Sequence, residues 1–173
     1  TGVLAPNGSI YFAPCCACKV LRVDTETDTV HHIGPDLDGG SHKYLAGGVL
    51  ARDGKIYFAP AGAQRVLCVD PHTDQVEMFG PPMEGSGKFQ SGGVLAGNGK
   101  IYFAPSMASR VLCIDPASSC IEMLGQVLPG KQKYVAAGVL ARDGRIYFAP
   151  ADAKQVLRVD PCEGACELVG PEL

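Results

Sequence analysis

Gly48-Val49-Leu50-Ala51-Arg52-Asp53-Gly54-Lys55-Ile56-Tyr57-Phe58-Ala59-Pro60 decides the fold, because the chain writes this stretch four times with small changes. Gly-Val-Leu-Ala begins at Gly2, Gly48, Gly93 and Gly138, in steps of 46, 45 and 45 residues. Tyr-Phe-Ala-Pro begins at Tyr11, Tyr57, Tyr102 and Tyr147, and an aspartate closes a third block at Asp24, Asp70, Asp115 and Asp160. Self-similarity at a fixed period of this length marks a repeat architecture. The units run 1–46, 47–91, 92–136 and 137–173 and together cover the chain.

Within a unit every local signal is β. After the short apolar run at Gly48–Ala51 comes Asp53-Gly54, with Asn7-Gly8, Asn98-Gly99 and Asp143-Gly144 in the other units. Such pairs predict a type I′ hairpin, whose two central residues both need positive φ. Lys55–Ala59 is then a second strand, ended by Pro60, which has no N–H to give to a ladder. Arg65–Val69 is a third strand rich in β-formers. Asp70-Pro71 suits positions i and i+1 of a type I turn. Val76–Phe79 is a fourth strand, stopped by Gly80-Pro81-Pro82. Four short antiparallel strands in ~45 residues is the period of a propeller blade. Radial packing lets each small sheet bury both faces against its neighbours. The expectation is an all-β single domain, a β-propeller of four blades with four antiparallel strands each. A two-sheet sandwich is the competitor, and it needs no such repeat.

The 173 residues fit one domain. Fifteen basic against 18 acidic side chains give a net charge of −3, without the clustered positive charge that a nucleic-acid partner would need. No apolar run approaches the ~20 residues of a transmembrane segment. The opening Thr1-Gly2-Val3-Leu4 has no leader pattern, so any targeting segment is expected to be gone already.

The pattern G-G-V-L-A-x-[DN]-G-[KR]-I-Y-F-A-P…[VI]-D-P resembles the repeat of a large set of propeller proteins common in unicellular algae. It is also similar to NHL-type, gluconolactonase-like and streptogramin-lyase-like blades. The resemblance implies that Gly-Val-Leu-Ala is the innermost strand and lines the channel. Connectivity then puts the Asn-Gly or Asp-Gly turns and the Asp-Pro turns on one face of the disc. The second-to-third strand loops and the long connections lie on the other.

The units differ most on that second face, so function is expected there. The connections Gly34–Gly47, Gly80–Gly92 and Gly125–Ala137 each hold a basic–aromatic pair: Lys43-Tyr44, Lys88-Phe89 and Lys133-Tyr134. Two readings stay open. The six residues form a cationic binding rim for an anionic ligand or acidic partner; or each aromatic wedges between blades while its lysine lies solvated. Catalysis is disfavoured, because Val3-Leu4-Ala5 and its copies bring no carboxylate, imidazole or amide to the channel. The strand-end aspartates read as turn residues rather than a Ca²⁺ site, and no histidine pair has metal-ligand spacing. No catalytic, metal or cofactor site is expected.

Cys15, Cys16 and Cys18 crowd one loop, and Cys162 and Cys166 bracket the Asp-Pro turn of unit four. The two groups fall on opposite faces, so a shared zinc or a ring-closing disulfide is disfavoured. Local bridges are the candidates, Cys162 to Cys166 and one pair such as Cys15 with Cys18. Eight cysteines lean towards an oxidising compartment, secreted or organelle-lumenal. Cys68 and Cys113 read as small buried hydrophobes.

Unit one opens on its first strand and unit four closes on its fourth, with nothing left over for a strand-swapped latch. Three outcomes stay open: blades one and four meet face to face, further blades follow in a longer chain, or two chains assemble. The function expected is a non-enzymatic scaffold or binding propeller with a protein partner, including a peripheral place in a larger complex that the algal resemblance leaves open as photosynthetic or organellar. A lactonase- or lyase-like enzyme and a sugar- or ligand-binding propeller are the alternatives.

Overall fold

The computed structural model describes residues 1–37 and 40–173. Its sixteen strands form four separate four-stranded antiparallel sheets, each in simple sequence order. Blade 1 holds β1 (Val3–Leu4), β2 (Ser9–Phe12), β3 (Val20–Asp24) and β4 (Thr29–Ile33). Blade 2 holds β5 (Val49–Leu50), β6 (Ile56–Phe58), β7 (Val66–Asp70) and β8 (Gln75–Phe79). Blade 3 holds β9 (Val94–Leu95), β10 (Ile101–Phe103), β11 (Val111–Asp115) and β12 (Cys120–Leu124). Blade 4 holds β13 (Val139–Leu140), β14 (Ile146–Phe148), β15 (Val156–Asp160) and β16 (Ala165–Val169). The chain is a β-propeller of four blades. Among the described residues no helix is long and apolar enough to cross a membrane.

The first turn of each blade differs from the type I′ expectation. Gly8 N–H bonds to Ala5 C=O at 3.0 Å and Ala5 N–H to Ser9 C=O at 2.9 Å, and only Gly8, not Asn7, has positive φ. This is a type I turn followed by a left-handed glycine, a G1 bulge. Asn7 keeps right-handed backbone and spends its side chain instead: Oδ1 accepts the Ser9 N–H at 3.0 Å. Asp53, Asn98 and Asp143 accept in the same way from Lys55, Lys100 and Arg145. The outer turns are held by the strand-end aspartates, Asp70 Oδ1 accepting the His72 N–H at 2.8 Å. Those N–H bonds hold the carboxyls of Asp24 and Asp70 below the usual carboxylate range.

Alternation gives each blade two apolar faces. The face turned to the preceding blade is here termed leading, and the face turned to the following blade trailing. Tyr11 and Val20 of blade 1 pack on Ile56, Phe58, Leu67, Val69 and Val76 of blade 2. Tyr57, Val66 and Cys68 of blade 2 pack in the same manner on Ile101, Phe103, Leu112 and Ile114. Tyr102, Val111 and Cys113 of blade 3 repeat it on Ile146, Phe148, Leu157 and Val159. The inner strands β5, β9 and β13 are neighbours in that order, so Gly-Val-Leu-Ala does line the inner edge. A glycine precedes each of these strands because the Phe opposite it on the neighbouring strand covers it: a Cβ on Gly48 would lie 2.4 Å from the Phe58 ring.

Packing between blades 1 and 4, one of the three outcomes open from the sequence, is not what the chain does. Among the described residues three buried clusters join consecutive blades and none joins blade 4 to blade 1. Val30 of the outer strand of blade 1 is 58% exposed, while its equivalent Val76 is 9% exposed under blade 1. At the other end Val139 is 67% exposed, against 9% for Val49 and 8% for Val94. The four blades form an open arc.

Candidate functional site

The second-to-third strand loops and the long connections share one face, opposite the glycine turns. On the turn face Asn7 Nδ2 donates across the blade boundary to Pro71 C=O at 2.7 Å, and Asn98 Nδ2 to Pro161 C=O at 2.9 Å. On the loop face each connection is stitched between the loops of the two blades it links. Lys43 N–H bonds to Cys15 C=O at 2.9 Å, and Ala61 N–H returns to Lys43 C=O at 2.8 Å. The next two junctions repeat the pattern at Lys88, between Ala61 and Ser106, and at Lys133, between Ser106 and Ala151. Within the first connection, residues 38 and 39 lie outside the described residues.

The basic–aromatic pairs sit at these stitches, and both members turn inward. Tyr44, Phe89 and Tyr134 are buried in the three inter-blade clusters. The Tyr44 hydroxyl donates to Arg65 C=O at 3.0 Å and the Tyr134 hydroxyl to Gln155 C=O at 3.0 Å. Burial raises both phenols, Tyr134 to about 12. The lysines are neither solvated nor a projecting cationic rim: Lys43, Lys88 and Lys133 are 2%, 4% and 2% exposed. Each ammonium turns back on its own loop. Lys43 Nζ donates to Gly40 C=O at 2.7 Å, Lys88 Nζ to Gly85 C=O at 2.6 Å, and Lys133 Nζ to Gly130 C=O at 3.0 Å. Lys133 Nζ also donates to Ser106 C=O at 2.9 Å, tying its loop to that of the preceding blade. Loss of hydration lowers the Lys88 and Lys133 ammonium pKa. The physical reason for the inward turn is the glycine three residues earlier in every copy, which presents its carbonyl to the ammonium. That Gly-x-x-Lys spacing was readable in the sequence, and it is the signal that distinguishes a loop staple from a rim.

Beside two of these staples the face is hollow. One cavity of about 360 Å³ lies between the third connection (Leu128, Lys133, Tyr134) and blade 4 (Asp152, Gln155, Leu168). A second of about 380 Å³ occupies the same place one blade earlier, between Met83, Lys88 and Phe89 and the residues Met107, Ser109 and Met123. Lys154 and Glu172 form an ion pair of 2.9 Å at the first cavity. The second is lined by three methionines, two of them exposed.

The cysteines do not pair as expected. All eight are free thiols. Cys166 sits on the leading face of β16 and is aimed sideways at Gly125 of blade 3, while Cys162 stays out in the turn, so the two diverge. Cys15 approaches Cys16, Sγ to Sγ 3.8 Å, rather than Cys18. The His42 backbone N–H beside Cys16 lowers its thiol pKa, whereas burial pushes Cys68, Cys113 and Cys166 up to about 11. Among the described residues no three His, Cys, Asp or Glu side chains gather as a metal site would require. The four short inner strands are Val3–Leu4, Val49–Leu50, Val94–Leu95 and Val139–Leu140, which carry no ionisable side chain.

No family model and no curated protein matches the sequence. Solved structures do match the fold. Virginiamycin B lyase from Staphylococcus aureus aligns with a TM-score of 0.74 at 15% identity, over 96% of this chain and 53% of its own. An auxiliary nutrient binding protein from Bacteroides thetaiotaomicron aligns with a TM-score of 0.62 at 11% identity, over 99% and 42%. Hydrazine synthase of Kuenenia stuttgartiensis aligns at 0.69 and 17%, over 97% and 48%. This chain therefore spans about half the length of these three proteins. The shared fold serves a lyase in one of them and binding in another, so it does not assign either activity here.

Proposed function

We propose that this protein is a binding platform without chemistry of its own, engaging a protein partner on the loop face. The observation that carries this reading is the pair of cavities at successive blade junctions, each walled by a connection whose backbone is already fixed at both ends. Loops held in this way lose little conformational freedom on binding, so contacts made there are not offset by ordering. Met83, Met107 and Met123 give the second cavity an adaptable apolar wall, suited to a protein side chain. The buried lysines support this face from below rather than presenting charge. A peripheral place in a larger assembly fits the same reading. A lactonase- or lyase-like reading would need acid, base or metal-ligating groups converging on the inner edge, and the valine–leucine pairs of the inner strands supply none.

The test is capture of partners from the native source with the wild-type chain and two variants. Met107→Asp, which charges the second cavity, should abolish capture of the specific partner. Arg52→Glu, on the opposite turn face, should leave it intact. Capture that survives Met107→Asp but fails with Arg52→Glu would move the site to the other face and overturn the proposal.

A further inference from the structure

The two ends of the arc are the two halves of an interface that the chain makes three times internally. We propose that a second copy of this chain completes the ring, blade 4 of each copy packing on blade 1 of the other, to give eight blades, twice the four of one chain. This goes beyond the platform reading and does not depend on it.

The apolar match is built into the repeat. The uncovered leading face of blade 1 carries Ile10, Phe12, Leu21, Val23 and Val30, the counterparts of Ile56, Phe58, Leu67, Val69 and Val76 that are buried in blade 2. The uncovered trailing face of blade 4 carries Val139, Tyr147 and Val156, the counterparts of Val3, Tyr11 and Val20, of which Tyr11 and Val20 are fully buried against blade 2. Both of these faces are apolar like the faces buried between consecutive blades.

Charge then says which face meets which. On trailing faces one position reads Arg22, Cys68, Cys113, Arg158 through the four blades. On leading faces the left-handed turn position reads Asp28, Asp74, Ser119, Gly164. At the first junction Arg22 Nη1 pairs with Asp74 Oδ2 at 2.7 Å, and the Tyr11 hydroxyl donates to Asp74 Oδ1 at 2.9 Å. The second and third junctions set Cys68 towards the blade with Ser119 and Cys113 towards the blade with Gly164, two pairings without opposite charges. Among the four blades the arginine returns only at Arg158 and the aspartate only at Asp28, on the two faces that none of the described residues covers. Blade 4 to blade 1 of a second copy thus repeats the first junction, with Arg158 and Tyr147 meeting Asp28. Within one chain Arg158 pairs with Glu167 across its own sheet, a half-exposed partner, where blade 1 has His31 opposite Arg22. A guanidinium has donors enough to hold Glu167 and Asp28 together.

Four blades overlie 53% of the lyase chain at a TM-score of 0.74, so the arc leaves room for further blades of the same kind, and a second copy supplies four. The two contacts are head-to-tail, and such contacts give a finite ring when the rotation closes.

Sedimentation or light scattering of the 173-residue chain should give twice the 18.1 kDa of one copy. D28R alone and R158E alone each place like charges at both contacts and should be monomers with an unchanged β-sheet circular dichroism spectrum. Mixed one to one they should regain the double mass, because each contact then joins an arginine to an acid. A wild-type chain that stays monomeric up to about 0.1 mM, far above the micromolar range of a modest interface, would overturn the proposal and assign these faces to other blades. So would single variants that still dimerise, a mixture that does not, or an open-ended series of larger species.

Discussion

Blades 2 and 4 are written with nearly the same residues and meet different fates. Val49, Tyr57 and Val66 of blade 2 lie buried under blade 3, while Val139, Tyr147 and Val156 of blade 4 face outwards. The contrast teaches that a blade's apolar faces are fixed by its strand alternation, whereas their burial is supplied by the neighbour. Stability should therefore be distributed by junction, as expected where repeats contact only adjacent units.

The largest effect that would break this comparison comes from truncating equivalent leucines. Leu112→Ala empties a fully buried site between blades 2 and 3 and should cost about 2–5 kcal/mol in denaturant unfolding. Leu21→Ala removes the equivalent side chain from the open face of blade 1, and in the monomeric R158E background it should cost less than half as much. Equal costs would mean that the end face is covered within the single chain. Repeating Leu21→Ala in the wild-type background sharpens the point, since a second copy over that face raises its cost.

A smaller effect separates staple from rim. Lys133→Met keeps the buried stem but removes the ammonium that bonds to Ser106 and Gly130 carbonyls. It should cost about 1.5–3 kcal/mol, the range for hydrogen bonds to a charged group, with the cost read from the unfolding midpoint. An unchanged midpoint would show that the loop does not need the charge. The smallest effect leaves stability untouched: at neutral pH a limiting alkylating reagent should label exposed Cys16 well before buried Cys68 and Cys113, as mass mapping would show. Their thiols, raised to about 11 beneath the blade contacts, hold very little of the reactive thiolate. Early labelling of Cys113 would show that the junction between blades 3 and 4 opens readily.

Strand order, blade count and the position of every turn were legible in the sequence, because each rests on contacts between residues a few positions apart. Asn-Gly and Asp-Gly marked the first turn correctly but not its type. A left-handed glycine serves both a type I′ turn and a G1 bulge, and the Ala5-to-Gly8 hydrogen bond that chooses between them is a matter of loop geometry. The basic–aromatic pairs were visible as a repeated feature, yet whether the lysine faced water or a carbonyl depended on how the connection folds back on itself. The cavities beside them were not visible at all, since each lies between residues of two blades.

The amino-acid sequence by itself determined that this chain makes four similar sheets with two apolar faces apiece, since alternation and turn chemistry are local and recur with the repeat. Only the tertiary structure decided that these four sheets form an open arc and that Asp28 and Arg158 lie on its two bare faces. The angle between one blade and the next accumulates over the whole chain, and no short stretch of residues encodes whether that sum closes a circle.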